Sequence, residues 1–246
     1  MAAVSKDPQN ESEIDVIFRS LDVNTVRYLL CNSAMTGNLN VVIHLCKRNA
    51  DITKLGKIMI LSAANTGNNE IVDYLLDNID KIDIGSGNGS SMSLLGMVSY
   101  AGHTNIVTKL LSHPKCKLNQ KEDVLGGQTP LSLAVWGGHL QIVKDLLDAG
   151  ANHEFVDSTG SNLVDISVRS RNLDMISHIL SLGLNINKTD QNGITPLMRV
   201  VSITPEPQNA VEIMRLLIDN GATLDINHFK KIKNPEIKTF LSSFAQ

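Results

Sequence analysis

Apolar residues return along this chain in short helical bursts separated by turn residues. Between Leu140 and Asp148, the side chains of Ile142, Val143, Leu146 and Leu147 recur at i, i+3, i+4 spacing, which places them on one face of a helix. A shorter apolar run, Leu131 to Trp136, precedes it. Thr129 is a good N-cap for this run, and Pro130 suits a first helical position, where no N–H is needed. Gly137-Gly138 allows the left-handed conformation that ends a helix, and Gly150 closes the second one. The pattern predicts two antiparallel helices over 131–136 and 140–148.

The same pattern recurs. Met35-Thr36-Gly37-Asn38, Asn65-Thr66-Gly67-Asn68, Tyr100-Ala101-Gly102-His103 and Trp136-Gly137-Gly138-His139 are each followed by two variable residues and an apolar pair. Equivalent slots fall at Tyr28, Ile58, Ser93, Thr129, Asn162 and Thr195, and Thr195-Pro196-Leu197 repeats Thr129-Pro130-Leu131. A helical pair of this kind carries apolar residues on more than one side and buries them only by stacking on neighbours. With Gly138-His139, Gly150-Ala151, Asp190-x-x-Gly193-x-Thr195-Pro196-Leu197 and Gly221-Ala222, the chain resembles the ankyrin repeat. That family's signature is T-P-L-H-x-A at a period of ~33 residues. Copies four and six match well; copies one, two, three and five are degenerate.

The resemblance implies an all-α repeat solenoid of stacked helix-turn-helix units joined by β-hairpin-like loops, as a single elongated domain. Six repeats are expected over 24–226. Residues 1–11 are polar and expected to be disordered. Ile14, Ile17, Phe18 and Leu21 suit a capping helix over 12–23, and Ile232, Ile237, Leu241 and Phe244 a capping segment over 227–246. Two stretches depart from the period: Ile84 to Ser91, rich in glycine, and an insertion over 202–209, which belongs in a loop.

Composition narrows the function. A net charge of −3 with mixed signs offers no basic field for nucleic acid. No apolar run reaches the ~18 residues that span a bilayer, and the first residues lack a secretory signal pattern. Cys31, Cys46 and Cys116 are too few and scattered for a disulfide framework, and the first two suit small core positions. The expected compartment is the cytoplasm, with the nucleus and secretion as an effector left open.

Catalytic chemistry is hard to assemble. Gly85-x-Gly87-x-Gly89 has the wrong spacing for a dinucleotide loop. His113 and Cys116 offer two metal ligands where a structural zinc needs four. His44, His153, His178 and His228 have no nucleophile at a useful spacing. His103 and His139 suit the turn between helices. No enzyme, cofactor or metal is expected.

Seven residues after each slot comes the last turn of the first helix: Met35, Asn65, Tyr100, Trp136, Arg169 and Ser202. The resemblance implies that this column faces a concave surface where partners bind. The neighbouring column, Thr36, Thr66, Ala101, Gly137, Ser170 and Ile203, is mostly small and leaves the large side chains accessible. Tyr, Trp and Arg are enriched among binding hot spots. Lys54, Lys57, Gln128, Ser158, Gln191 and Asn192 are expected at hairpin tips flanking the same groove.

The expected function is a non-catalytic, monomeric interaction module or adaptor for a protein or peptide, without nucleic acid or membrane. The alternatives are a cytosolic regulator or chaperone of a proteasome or transcription complex, a pathogen effector, or, in a different class, a ligand- or nucleotide-binding enzyme using the Gly-rich loop.

Overall fold

The computed structural model describes residues 22–47, 52–78, 80, 82, 92–203, 208–225 and 234–244. The expected N-terminal cap up to residue 21, the Gly-rich stretch and residues 204–207 of the insertion lie outside the described residues. The chain divides into two compact units, residues 1–84 and 85–246.

The first unit holds two helical pairs, α1 (Val23–Thr36) with α2 (Leu39–Lys47) and α3 (Ile52–Asn65) with α4 (Asn69–Asp77). Asp22 caps α1, its Oδ1 accepting from the backbone N–H groups of Asn24 at 2.9 Å and Thr25 at 3.1 Å. Gly37, at φ 81°, ends it. First helices pack on each other, α1 on α3, around Leu30, Ala34, Met59, Ile60 and Ala63. A Cβ at Gly56 would lie 2.6 Å from Cγ1 of Ile82, so only glycine lets this buried side chain close against α3.

The slots at Tyr28 and Ile58 do not begin helices. Both α1 and α3 start well upstream, so these residues sit mid-helix, and neither side chain has the short acceptor that an N-cap requires. Lys54 and Lys57 belong to α3 rather than to a hairpin tip, and Lys57 is buried.

The second unit continues the pattern with α5 (Leu94–Ala101) and α6 (Thr104–Leu111), α7 (Pro130–Gly137) and α8 (Leu140–Asp148), α9 (Leu163–Ser170) and α10 (Leu173–Leu180). It ends with α11 (Pro196–Ser202), α12 (Ala210–Asp219) and α13 (Pro235–Ser242). Consecutive first helices pack in file, α5 on α7, α7 on α9 and α9 on α11, with second helices α6 on α8 and α10 on α12 beside them. The final helix α13 packs on α12 and buries Ile237, Phe240 and Leu241.

Local chemistry explains the regularity. Thr129 and Ser132 form a reciprocal capping box at the start of α7, and Thr195 accepts from the Met198 N–H at 3.2 Å at the start of α11. Ser93 and Asn162 cap α5 and α9 in the same way. The connections between repeats fold back as turns closed by single antiparallel bridges, Glu122 with Gln128 and Val156 with Asn162.

Candidate partner-binding face

The last turns of α5 and α7 bring Tyr100 and Trp136 together. Their ring centroids lie 5.9 Å apart with planes at 70°, an edge-to-face contact. Both remain open to solvent, Tyr100 49% and Trp136 43% exposed. The backbone sets this meeting. A Cβ on Gly137 would fall 2.6 Å from the Tyr100 carbonyl, so glycine permits the close approach of the two repeats at this point. Nε2 of His139 lies 3.0 Å from the same carbonyl, which requires the ring to carry its proton on that nitrogen.

That bond belongs to a ladder of turn residues. Nδ2 of Asn68 donates to the carbonyls of Ala34 at 3.0 Å and Met35 at 2.9 Å, and Nδ2 of Asn209 to that of Arg171 at 3.0 Å. The Asn or His at the N-cap of the second helix therefore ties each of these repeats to the one before it. Burial pushes the pKa of His103 down, and the neighbouring charge of His139 adds to the shift.

Arg169 stands in the same column, one repeat beyond Trp136. Its Nη2 donates to Oδ2 of Asp165 at 2.9 Å and to Ser161 Oγ at 3.3 Å, and its side chain is 36% exposed. Below it, Asp165 is buried and also accepts from Arg199 Nε at 2.9 Å, while Arg199 Nη2 pairs with Asp190. The network is thus shared between the fifth and sixth repeats. Burial works against ionisation of Asp190. The N–H of Ile194, the Arg199 guanidinium and the N–H of Asn192 outweigh it and hold the carboxyl below its ordinary value.

Ser202 is exposed, with its hydroxyl turned back to the Met198 carbonyl at 2.9 Å. In the first unit Met35 and Asn65 are exposed at the ends of α1 and α3. At the turn tips Ser158, Gln191 and Asn192 are exposed, and Gln191 Nε2 donates to the Ser158 carbonyl at 2.6 Å. Gln128 departs from the expectation: it is buried, and its Nε2 donates to Asp157 Oδ2 at 2.9 Å. It joins neighbouring turns instead of flanking a groove.

The structure also exposes residues outside the expected column. Tyr28 and Ile58 are 69% and 49% exposed on the first unit's first helices. An apolar residue in a capping slot was the available signal, since such a residue cannot cap. Arg171 is the one non-glycine residue at positive φ among the described residues, 58°, in the turn where Gly37, Gly67, Gly102 and Gly138 stand in other repeats. Cys31, Cys46 and Cys116 are in no disulfide and are half-buried rather than core. Burial raises the pKa of Cys31 and Cys116, which disfavours the reactive thiolate. Among the described residues, no helix is long and apolar enough to cross a membrane.

Helical pairs stacked through their first helices, with glycine-ended turns and a cross-repeat ladder, define an all-α repeat solenoid. The family model for ankyrin repeats (3 copies) matches residues 63–157 and 94–190, and the chain belongs to the ankyrin-repeat family. Ankyrin repeats generally serve as protein–protein interaction modules, and proteins made of them are typically non-enzymatic.

Three relatives place this similarity. A protein described as a palmitoyltransferase from Danio rerio is 35% identical over 92 residues, 35% of this chain and 14% of its own length. An ankyrin repeat protein of Acanthamoeba polyphaga mimivirus is 23% identical over 95% of this chain and 31% of its own. A potassium channel of Arabidopsis thaliana is 23% identical over 66% of this chain and 19% of its own. The chain therefore spans less than a third of the length of each.

Proposed function

We propose that this chain is a non-catalytic interaction module that holds a partner protein or peptide on the concave face of its first helices. The Tyr100–Trp136 step forms the centre of contact in the second unit. The observation that carries the reading is an edge-to-face aromatic pair left nearly half exposed at the junction of two well-capped helices. Large aromatics held rigid at low entropic cost are the side chains that dominate interface energetics. Ser202, Ser158, Gln191 and Asn192 supply polar contacts around that centre, and Met35 and Asn65 act in the same way on the first unit. Gln128 is not part of this face.

Affinity purification from the native cell with the wild-type chain and with Trp136→Ala tests the reading. Truncating a hot spot weakens binding by ~2 kcal/mol or more, about thirtyfold, so the true partner should be lost from the variant. Thermal unfolding run alongside should change little. A large stability loss with the same proteins retained would assign Trp136 to packing alone.

A further inference from the structure

Resting on the interaction face above, we infer that the segment held on the Tyr100–Trp136 step is an extended, proline-bearing peptide. It sets a pyrrolidine ring into the corner between the two aromatic rings. Three observations point to this chemistry. First, the two helices that build the step carry no charge. Neither α5, Leu94–Ala101, nor α7, Pro130–Gly137, contains an acidic or basic residue. Nothing on them compensates a carboxylate or an ammonium group for the loss of its water, and an unpaired charge is costly to bury. The partner chemistry that complements such a surface is neutral and apolar.

Second, the hydrogen-bonding groups these helices leave open are chiefly donors. Ser93, Ser99 and Ser132 are buried, and Ser93 and Ser132 are engaged in the helix caps. That leaves the Tyr100 hydroxyl and the Trp136 indole N–H, neither with a hydrogen-bond partner among the described residues. A hydroxyl can donate or accept, but an indole N–H only donates. The backbone of a helix is bonded within the helix and offers no strand edge. An extended segment lying across this face therefore finds donors for its carbonyls and no ladder for its own N–H groups. Proline has no N–H to leave unpaired, and polyproline II is the extended conformation that forms without backbone pairing.

Third, the shape fits. Rings 5.9 Å apart with planes at 70° make a corner rather than a flat plate, and both rings are open to solvent. The residues that follow them, Ala101 and Gly137, are too small to cover it. A pyrrolidine ring is compact and already rigid, and proline-rich segments dock on aromatic-lined surfaces at low entropic cost.

The test selects binders from a displayed random peptide library lacking tryptophan, using the full chain as bait. Proline is expected at a shared position of the selected peptides. A synthetic selected peptide is then compared with versions carrying alanine or N-methylalanine in place of that proline. Each is titrated against the wild type, Trp136→Ala and Trp136→Phe. Alanine should weaken binding to the wild type about tenfold or more. N-methylalanine, which also lacks the N–H, should recover part of that loss. Trp136→Ala should lose the proline peptide. Trp136→Phe keeps an aromatic ring without the indole N–H and should bind it several-fold more weakly, and thermal unfolding of both variants separates lost binding from lost fold.

Binders without a shared proline, or equal binding of the proline and alanine peptides, overturn the inference. If such binders are still lost on Trp136→Ala, the interaction face stands and this chemistry falls; apolar residues at i, i+3 and i+4 would mark an amphipathic helix as the occupant. If they are indifferent to Trp136, the proposed face itself falls.

Discussion

At the scale of single residues, Arg171 and Trp136 define the sharpest expectations. A non-glycine residue in the left-handed region costs about 1 kcal/mol relative to glycine. Arg171→Gly should therefore raise unfolding stability by roughly that amount in urea titrations. No change would mean that the Arg171 side chain makes contacts that offset the strain. Trp136→Ala removes one edge-to-face contact and a half-exposed ring. It should lower stability by about 1 kcal/mol, well short of the ~3–5 kcal/mol expected for a fully buried aromatic. The two residues differ in how visible they were in the sequence. Trp136 stood out because its place in the column follows from helix length after a Thr-Pro cap. Arg171 is just as plainly in register, but strain appears only once φ is known. Its one sequence trace is a missing glycine before Asn172.

At the scale of elements, the strongest device is the ion network joining α9 to α11 and the turn before it. Asp165 takes a slot position held by Gly96 and Ser132 in earlier repeats, and Arg199 one held by Leu133 and Ile166. Removing one partner of a buried pair leaves an uncompensated charge, so Arg199→Met should cost ~3 kcal/mol at neutral pH. The pH dependence has a definite sign. Asp190 is held below its ordinary value of 3.8, so its contribution is present above that value and lost as pH falls through the lowered pKa. The stability gap between wild type and Arg199→Met should narrow below about pH 4, where the orphaned Asp190 carboxylate takes up a proton. An equal gap at pH 7 and pH 3 would show that the network contributes by packing alone. Helices entered by Thr129 and Thr195 were legible because capping chemistry is local. The early starts of α1 and α3 were not read, since their slots hold Tyr28 and Ile58; at α1 the local mark was Asp22, an N-cap six residues before the slot. Gln128 misled for a related reason: a polar residue in a turn looks solvated until a neighbouring repeat places Asp157 against it.

At the scale of the molecule, function was less legible than fold. The repeat period and glycine-ended turns are written in the chain, and stacking follows because no single pair can bury its own apolar faces. What binds is not written there, because a partner reads a surface assembled from residues about 33 positions apart. The mixed charge of −3 offers no overall electrostatic guide to a partner's class, and the proposed face rests on the aromatic step. Trp136 is the only tryptophan in the chain, so its fluorescence reports this one site. The most direct measurement titrates a tryptophan-free binder into the full chain and follows Trp136 emission and its quenching by acrylamide. Binding on the first-helix face should shift the emission to the blue and protect the indole from quencher, in step with complex formation. Saturable binding that leaves both emission and quenching unchanged would place the partner elsewhere and contradict the account.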